Sequence, residues 1–151
     1  MKVYYIFISI VILVGCHNQS KIVPFHEIEY INSYHCFPYK VEVYRIAEIE
    51  VTEQLYNYPI SGFCKRSEYN LVTWTKFSKY RDPAKESLIA TIGRCKENKE
   101  LIKQINNESD IFFAGCYRYM LNNKNEKERS YNKLAFLSKE SRTLYVFKDL
   151  Q

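Results

Sequence analysis

Residues 111–147 read IFFAGCYRYMLNNKNEKERSYNKLAFLSKESRTLYVF, and the alternation of apolar runs with polar breaks in this stretch decides the fold. Residues 111–121 are an aromatic and apolar run with strand character. The polar segment 122–129 follows as a long exposed hairpin loop. Residues 133–138 and 143–147 are then two short strands around Lys139-Glu140-Ser141-Arg142, a four-residue connection compatible with a type I turn. The last third of the chain is therefore expected to be an antiparallel meander.

Working outward, Arg81-Asp82-Pro83 is a helix start, with Asp82 as N-cap, Pro83 at the first helical position and Glu86 where a capping-box acid sits. The expected helix spans 83–106. Leu88, Ile92, Cys95 and Ile102 fall on one stripe at helical spacing, and Gly93 inside it costs about 1 kcal/mol relative to Ala. Residues 71–77 carry the β-branched and aromatic content of a strand, with Trp74 directed at the core. Pro59, Ser61 and Gly62 mark a turn. Residues 41–51 alternate, Val41, Val43, Ala47, Ile49 and Val51 against Glu42, Glu48 and Glu50, which favours a strand; a helix over 52–56 competes with its end. Residues 24–39 read as irregular or edge structure. Together these give an α+β domain over residues 24–151, one principal helix packed on a mostly antiparallel sheet and stapled by disulfides.

At the other end, Lys2 precedes an eleven-residue apolar stretch, 4–14, and the small residue Gly15. A spanning helix needs about 20 apolar residues, and His17, Asn18, Gln19, Ser20 and Lys21 end this run early, so 1–15 reads as a signal peptide. Leu13-Val14-Gly15-Cys16 resembles the cleavage box of bacterial lipoproteins. The resemblance covers the first sixteen residues and implies a diacylglyceryl group on the Cys16 thiol, cleavage before it, and acylation of the new amino group, palmitate being the usual chain. One acyl chain binds a membrane marginally; two or three hold firmly. Residues 16–23 would be a lipidated tether. An ordinary secretory signal is the competing reading, and either one exports the chain. His17 stands where those families place Asp to retain a protein in the inner membrane, which leans towards the outer membrane, facing the periplasm, in a Gram-negative cell.

Loss of Lys2 lowers the net charge of +5 to +4, and the charges are interspersed. Nucleic acid wants a clustered basic face, so that partner class is set aside. The 14 tyrosines have two explanations, a contact surface rich in hot-spot residues or an AT-rich genome, and we favour the second. Beyond Cys16 four cysteines remain, Cys36, Cys64, Cys95 and Cys116, an even number that in an exported domain points to two disulfides. With Cys95 on the inner helix stripe and Cys116 on the next strand beside Phe112 and Ala114, the helix phase favours Cys95–Cys116, leaving Cys36–Cys64.

No nucleophile elbow, phosphate-binding glycine loop or His-Glu-x-x-His motif is present. The cysteines and histidines lack zinc-ligand spacing. His17, His26 and His35 cluster near the N-terminus; His26 with Glu27 and Glu29, and the Glu48/Glu50 pair, are better read as surface. We therefore expect no cofactor, no metal site and no catalytic residues. Two partners are expected: membrane lipid through acylated Cys16, and another protein. The favoured reading is a lipid-anchored cell-envelope protein acting by protein contacts, a toxin-neutralising immunity lipoprotein being its first version and an accessory lipoprotein of an envelope or secretion assembly its second. A small cell-wall-directed enzyme is third.

Overall fold

The computed structural model describes residues 23, 28–47, 53–56, 63–64, 68–77, 83–107 and 110–149. Six strands, β1 (Ile28–Cys36), β2 (Tyr39–Ile46), β3 (Asn70–Lys76), β4 (Ile111–Leu121), β5 (Lys127–Ser138) and β6 (Thr143–Asp149), form one antiparallel sheet in the order β1-β2-β6-β5-β4-β3. The helices are α1 (Glu53–Tyr56), α2 (Pro83–Ile92) and α3 (Lys99–Asn106), with a 3₁₀ turn at Lys96–Asn98. The meander β4-β5-β6 has the expected bounds for β4, and 139–142 connects β5 to β6. The expected alternative at 52–56 is a single helical turn, α1. The expected signal peptide over 1–15, Cys16, Asp82 and the expected turn at Pro59-Ser61-Gly62 lie outside the described residues. Val23, at the end of the expected tether, is buried in the core.

Period-two alternation explains why the centre of the sheet reads as near-continuous apolar sequence: both of its faces are covered. On one face Val41, Val43, Phe113, Leu134, Phe136, Tyr145 and Phe147 pack against Leu88 and Ile92 of α2 and Leu101 and Ile105 of α3. We call this the helix face. On the opposite face Tyr44, Ile46, Phe112, Ala114, Ala135, Leu137, Leu144 and Val146 pack against Trp74, Val23, Leu55 and Phe63. Phe113, Phe136 and Phe147 form a run of ring contacts at 5.2 and 5.8 Å, and Phe77 joins Phe113 and Phe136 at 5.7 and 5.4 Å. Each such pair contributes about 0.5–1.5 kcal/mol beyond its buried area.

The single helix over 83–106 is corrected to two short ones. α2 ends at Ile92, and Cys95 is extended at φ −94°, ψ 131°. Two features hold the break. A Cβ on Gly93 would lie 3.0 Å from the Ile89 carbonyl oxygen, so glycine permits the tight exit. Asn98, fully buried, donates from Nδ2 to the Ile92 carbonyl at 2.6 Å, satisfying one of the acceptors a helix end leaves open. Its Oδ1 accepts from the Tyr34 hydroxyl, which ties β1 to the helix layer.

The disulfides are Cys36–Cys95 and Cys64–Cys116, overturning the pairing expected from helix phase. Phase placed Cys116 correctly beside Phe112 and Ala114. That side is the face away from α2 and α3, so Cys95 cannot reach it, and Cys64, packed against the same opposite-face cluster, takes it instead. Cys36 points to the helix face and meets Cys95 there.

Candidate functional site

β4 and β5 continue past the covered part of the sheet. The expected loop over 122–129 is shorter: cross-strand pairing runs to Leu121↔Lys127, leaving 122–126 as the turn. Asn122 builds that turn. Its Oδ1 accepts from the backbone N–H groups of Lys124 and Glu126 at 2.8 and 2.9 Å, and its Nδ2 donates to the carboxylates of Glu126 and Glu128 at 3.1 and 2.8 Å. Asn125 supplies the left-handed residue, φ 60°, a conformation Asn tolerates better than most side chains.

A bulge sets what this ribbon presents. Cys116 pairs with Lys133, but Tyr117 pairs with Tyr131, so Asn132 is the extra residue on β5 and the alternation shifts by one. Tyr117 and Tyr131 therefore share the helix-face side, with ring centroids 5.6 Å apart. Gly115 makes the arrangement possible, since a Cβ there would come within 2.8 Å of both the Phe113 and Tyr131 rings. Tyr39 donates its hydroxyl hydrogen to the Tyr131 carbonyl at 3.0 Å, tying the base of the ribbon to β2.

Outward from Tyr131 the aromatic row continues through Tyr117 to Tyr119, whose rings are 5.4 Å apart and perpendicular. Arg129, paired across from Tyr119, lays its guanidinium 4.9 Å from the centre of the Tyr117 ring. Hydrogen bonding with the Tyr131 phenol, and then with that of Tyr119, holds the guanidinium above its ordinary value. The hydrogen bond between Tyr117 and Tyr119 holds the Tyr119 phenol below its ordinary value, with Arg129 adding to the effect, while the same bond pushes Tyr117 up. On the other side of the ribbon Arg118 lies 5.7 Å from the centre of the Tyr69 ring. Tyr119, Met120 and Leu121 are 53%, 46% and 65% exposed, an apolar and aromatic tip in water.

Between this ribbon and α2 runs an open groove of about 360 Å³, bordered by Pro38, Tyr39, Leu88, Thr91, Arg129 and Tyr131. Its polar side chains are hydroxyls, the Asn122 amide, the Arg129 guanidinium and the Glu128 carboxylate. Among the described residues no three His, Cys, Asp or Glu side chains come together as a metal site. What the arrangement offers chemically is recognition: rigid amphipathic rings, one oriented cation and a shallow recess.

Of the residues considered beforehand, Cys16, His17, His26, Glu27, Glu48 and Glu50 lie outside the described residues, and His35 is an exposed residue of β1. The four remaining cysteines hold the scaffold, and none borders the groove. Tyr117, Tyr119, Arg129 and Tyr131 were not anticipated as a site. Their signal was the period-two pairs Tyr117/Tyr119 and Arg129/Tyr131 on facing strands, hidden because 127–132 is polar enough to pass for loop. Compared with protein-family models, curated proteins and solved structures, the chain finds no match in any of the three.

Proposed function

We propose that this chain is exported, lipidated at Cys16 and held on a membrane of the cell envelope, where it binds another protein through the projecting half of β4 and β5. The observation that carries the reading is the row Tyr131-Tyr117-Tyr119 with Arg129 laid over it, next to an exposed Met120 and Leu121. Tyr and Arg dominate binding hot spots because they present large area with few rotatable bonds and still make polar contacts. The rings here are already packed on one another and under Arg129, so little ordering entropy is left to lose on association. Two disulfides and a double-faced core support a fixed platform beneath them.

Within this reading a toxin-neutralising immunity lipoprotein is the version we favour, and an accessory of an envelope assembly is the alternative. The test is a photo-crosslinking residue placed at Tyr119, and separately at Lys103 on α3, in the native cells. A discrete adduct from position 119 and none from 103 supports the reading, and the partner's identity chooses between the two versions. The same adduct pattern from both positions, or none from 119, contradicts it. For the anchor, Cys16→Ala should release the protein from the membrane fraction; unchanged retention would refute lipidation.

A further inference from the structure

The outer half of β5 has an open edge, and the turn fixes which backbone groups lie on it. The Asn122 N–H donates to the Glu126 carbonyl at 2.9 Å, and the pairing then runs through Leu121↔Lys127, Met120↔Glu128 and Tyr119↔Arg129. Bonded pairs alternate along an antiparallel ladder. The backbone groups of Glu128 and Ser130 therefore face β4, and those of Lys127 and Arg129 face the other way. Tyr131 shows the same phase, since its carbonyl accepts from the hydroxyl of Tyr39 on β2, the strand beyond β6. Among the described residues β6 pairs with β5 only as far as Lys133↔Lys148, and no hydrogen bond reaches the backbone N–H or C=O of Lys127 or Arg129. This edge opens into the groove of about 360 Å³, whose other wall is Ser87, Leu88 and Thr91 of α2. From Lys127 to Tyr131 it is about 13 Å long, the span of one short strand.

An unpaired edge is a template for another strand, and charge says which strand fits. Lys127 and Arg129 project on the same side of the ribbon as Tyr119, and among the described residues neither meets a carboxylate. The carboxylates of the same stretch, Glu126 and Glu128, accept from the Asn122 amide instead. A second copy adding by this edge about a two-fold axis would set Lys127 and Arg129 against their own counterparts, and like charges directly across a ladder oppose pairing. A segment with acidic residues at those two places meets opposite charges.

We propose that the partner adds an extended segment antiparallel to the outer edge of β5, in the groove against α2, with acidic side chains opposite Arg129 and Lys127 and an apolar one opposite Tyr131, beside Leu88. From its own N-terminus that segment runs apolar-x-acidic-x-acidic. The backbone of Lys127 and Arg129 supplies hydrogen bonds that any strand can use, and the two cations select the charge. The inference rests on the reading of the ribbon as the binding surface and adds to it the edge used, the direction of the bound strand and its charge.

The test titrates the purified, disulfide-bonded protein with the peptide acetyl-Val-Thr-Glu-Thr-Glu-Thr-amide, and with acetyl-Val-Thr-Lys-Thr-Lys-Thr-amide as its match, to millimolar concentration, following amide hydrogen exchange and shifts by NMR. Expected is slowed exchange at the Lys127 and Arg129 amides, with the Glu128 and Ser130 amides on the β4 side unchanged, and binding on the order of tenfold tighter for the acidic peptide. Lys127→Glu/Arg129→Glu should reverse the preference, whereas Lys99→Glu/Lys103→Glu on α3, an equal change of net charge, should keep it. No slowing at Lys127 and Arg129, equal binding of the two peptides, or the same protection arising from self-association without peptide overturns the proposal. The wild-type amide pattern and peptide preference decide it even if the first double variant fails to fold. Failure of the wider reading is a separate result, the absence of a Tyr119 adduct in cells; an adduct there, with both peptides leaving the edge amides untouched, removes the edge proposal alone.

Discussion

β4 and β5 are each two different strands end to end. Along 111–116 and 133–138 the pair carries Phe112, Phe113, Leu134, Phe136 and Leu137, all at most 4% exposed, with helices on one side and Trp74, Leu55 and Phe63 on the other. Along 117–121 and 127–132 the same ladder continues with Tyr117, Tyr119, Met120, Arg129 and Tyr131, and the cover thins from Tyr131, still packed against the helix-face cluster, to an exposed tip. Strand formation is common to both halves; what differs is what lies over them. Stability concentrates where both faces are covered, and the outer half keeps its geometry through pairing and hydrogen bonds while leaving its side chains to solvent. The tyrosines record the contrast. Burial pushes Tyr39, beneath the ribbon, up to about 12, whereas hydrogen bonds from Tyr117 and Arg129 draw the exposed Tyr119 down.

The largest effects should fall on the covered half. Phe136→Ala removes a ring in contact with Phe77, Phe113 and Phe147 and should cost about 3–5 kcal/mol by denaturant unfolding. Each disulfide closes a loop with sequence separation 59 or 52, for which the chain-entropy model gives about 4 kcal/mol. Replacing either pair by Ala should therefore lower stability by that order, and a non-reducing peptide map should recover Cys36 joined to Cys95. A map joining Cys95 to Cys116 would break the two-faced arrangement.

Smaller effects sharpen the boundary. Gly115→Ala, at the junction, drives a methyl into the Phe113 and Tyr131 rings and should cost about 1–3 kcal/mol, loosening the outer ribbon first in hydrogen exchange. A change in pH separates the halves without mutation. Because the folded chain holds the Tyr39 proton more tightly than the unfolded chain, its contribution is complete below the ordinary phenol value of 10.0 and declines as pH rises from there through about 12. Burial raises Tyr34 and Tyr145 in the same direction. Unfolding midpoints measured across this window should fall, less steeply in Tyr39→Phe, while Tyr119 ionises ahead of them in an absorbance titration. Smallest of all, Tyr119→Ala should change stability by no more than about 0.5 kcal/mol.

How much of this was legible follows from the same division. β4, the 139–142 connection and the burial of Trp74 could be read because aromatic and β-branched runs bounded by polar turns have one economical interpretation. The outer half of β5 could not, since Lys127-Glu128-Arg129-Ser130 has no apolar period and becomes a strand through its partner across the ladder. The break after α2 was only half visible. Gly93 marked a weak point, but the Asn98 side chain that closes α2 reaches back six residues to the Ile92 carbonyl, a contact outside the local cap patterns. The disulfide pairing failed for a geometric reason: phase tells which residues share a strand side, and nothing local tells which side the helices will cover.

The most direct measurement compares wild type with Tyr119→Ala/Arg129→Ala in the native cells, reading in parallel the crosslinked partner recovered and the unfolding midpoint of the purified protein. Division of labour between the two halves predicts that the double variant loses the partner while its stability stays within about 1 kcal/mol of wild type. Undiminished recovery of the same partner, or a loss of binding that merely accompanies unfolding, would contradict it.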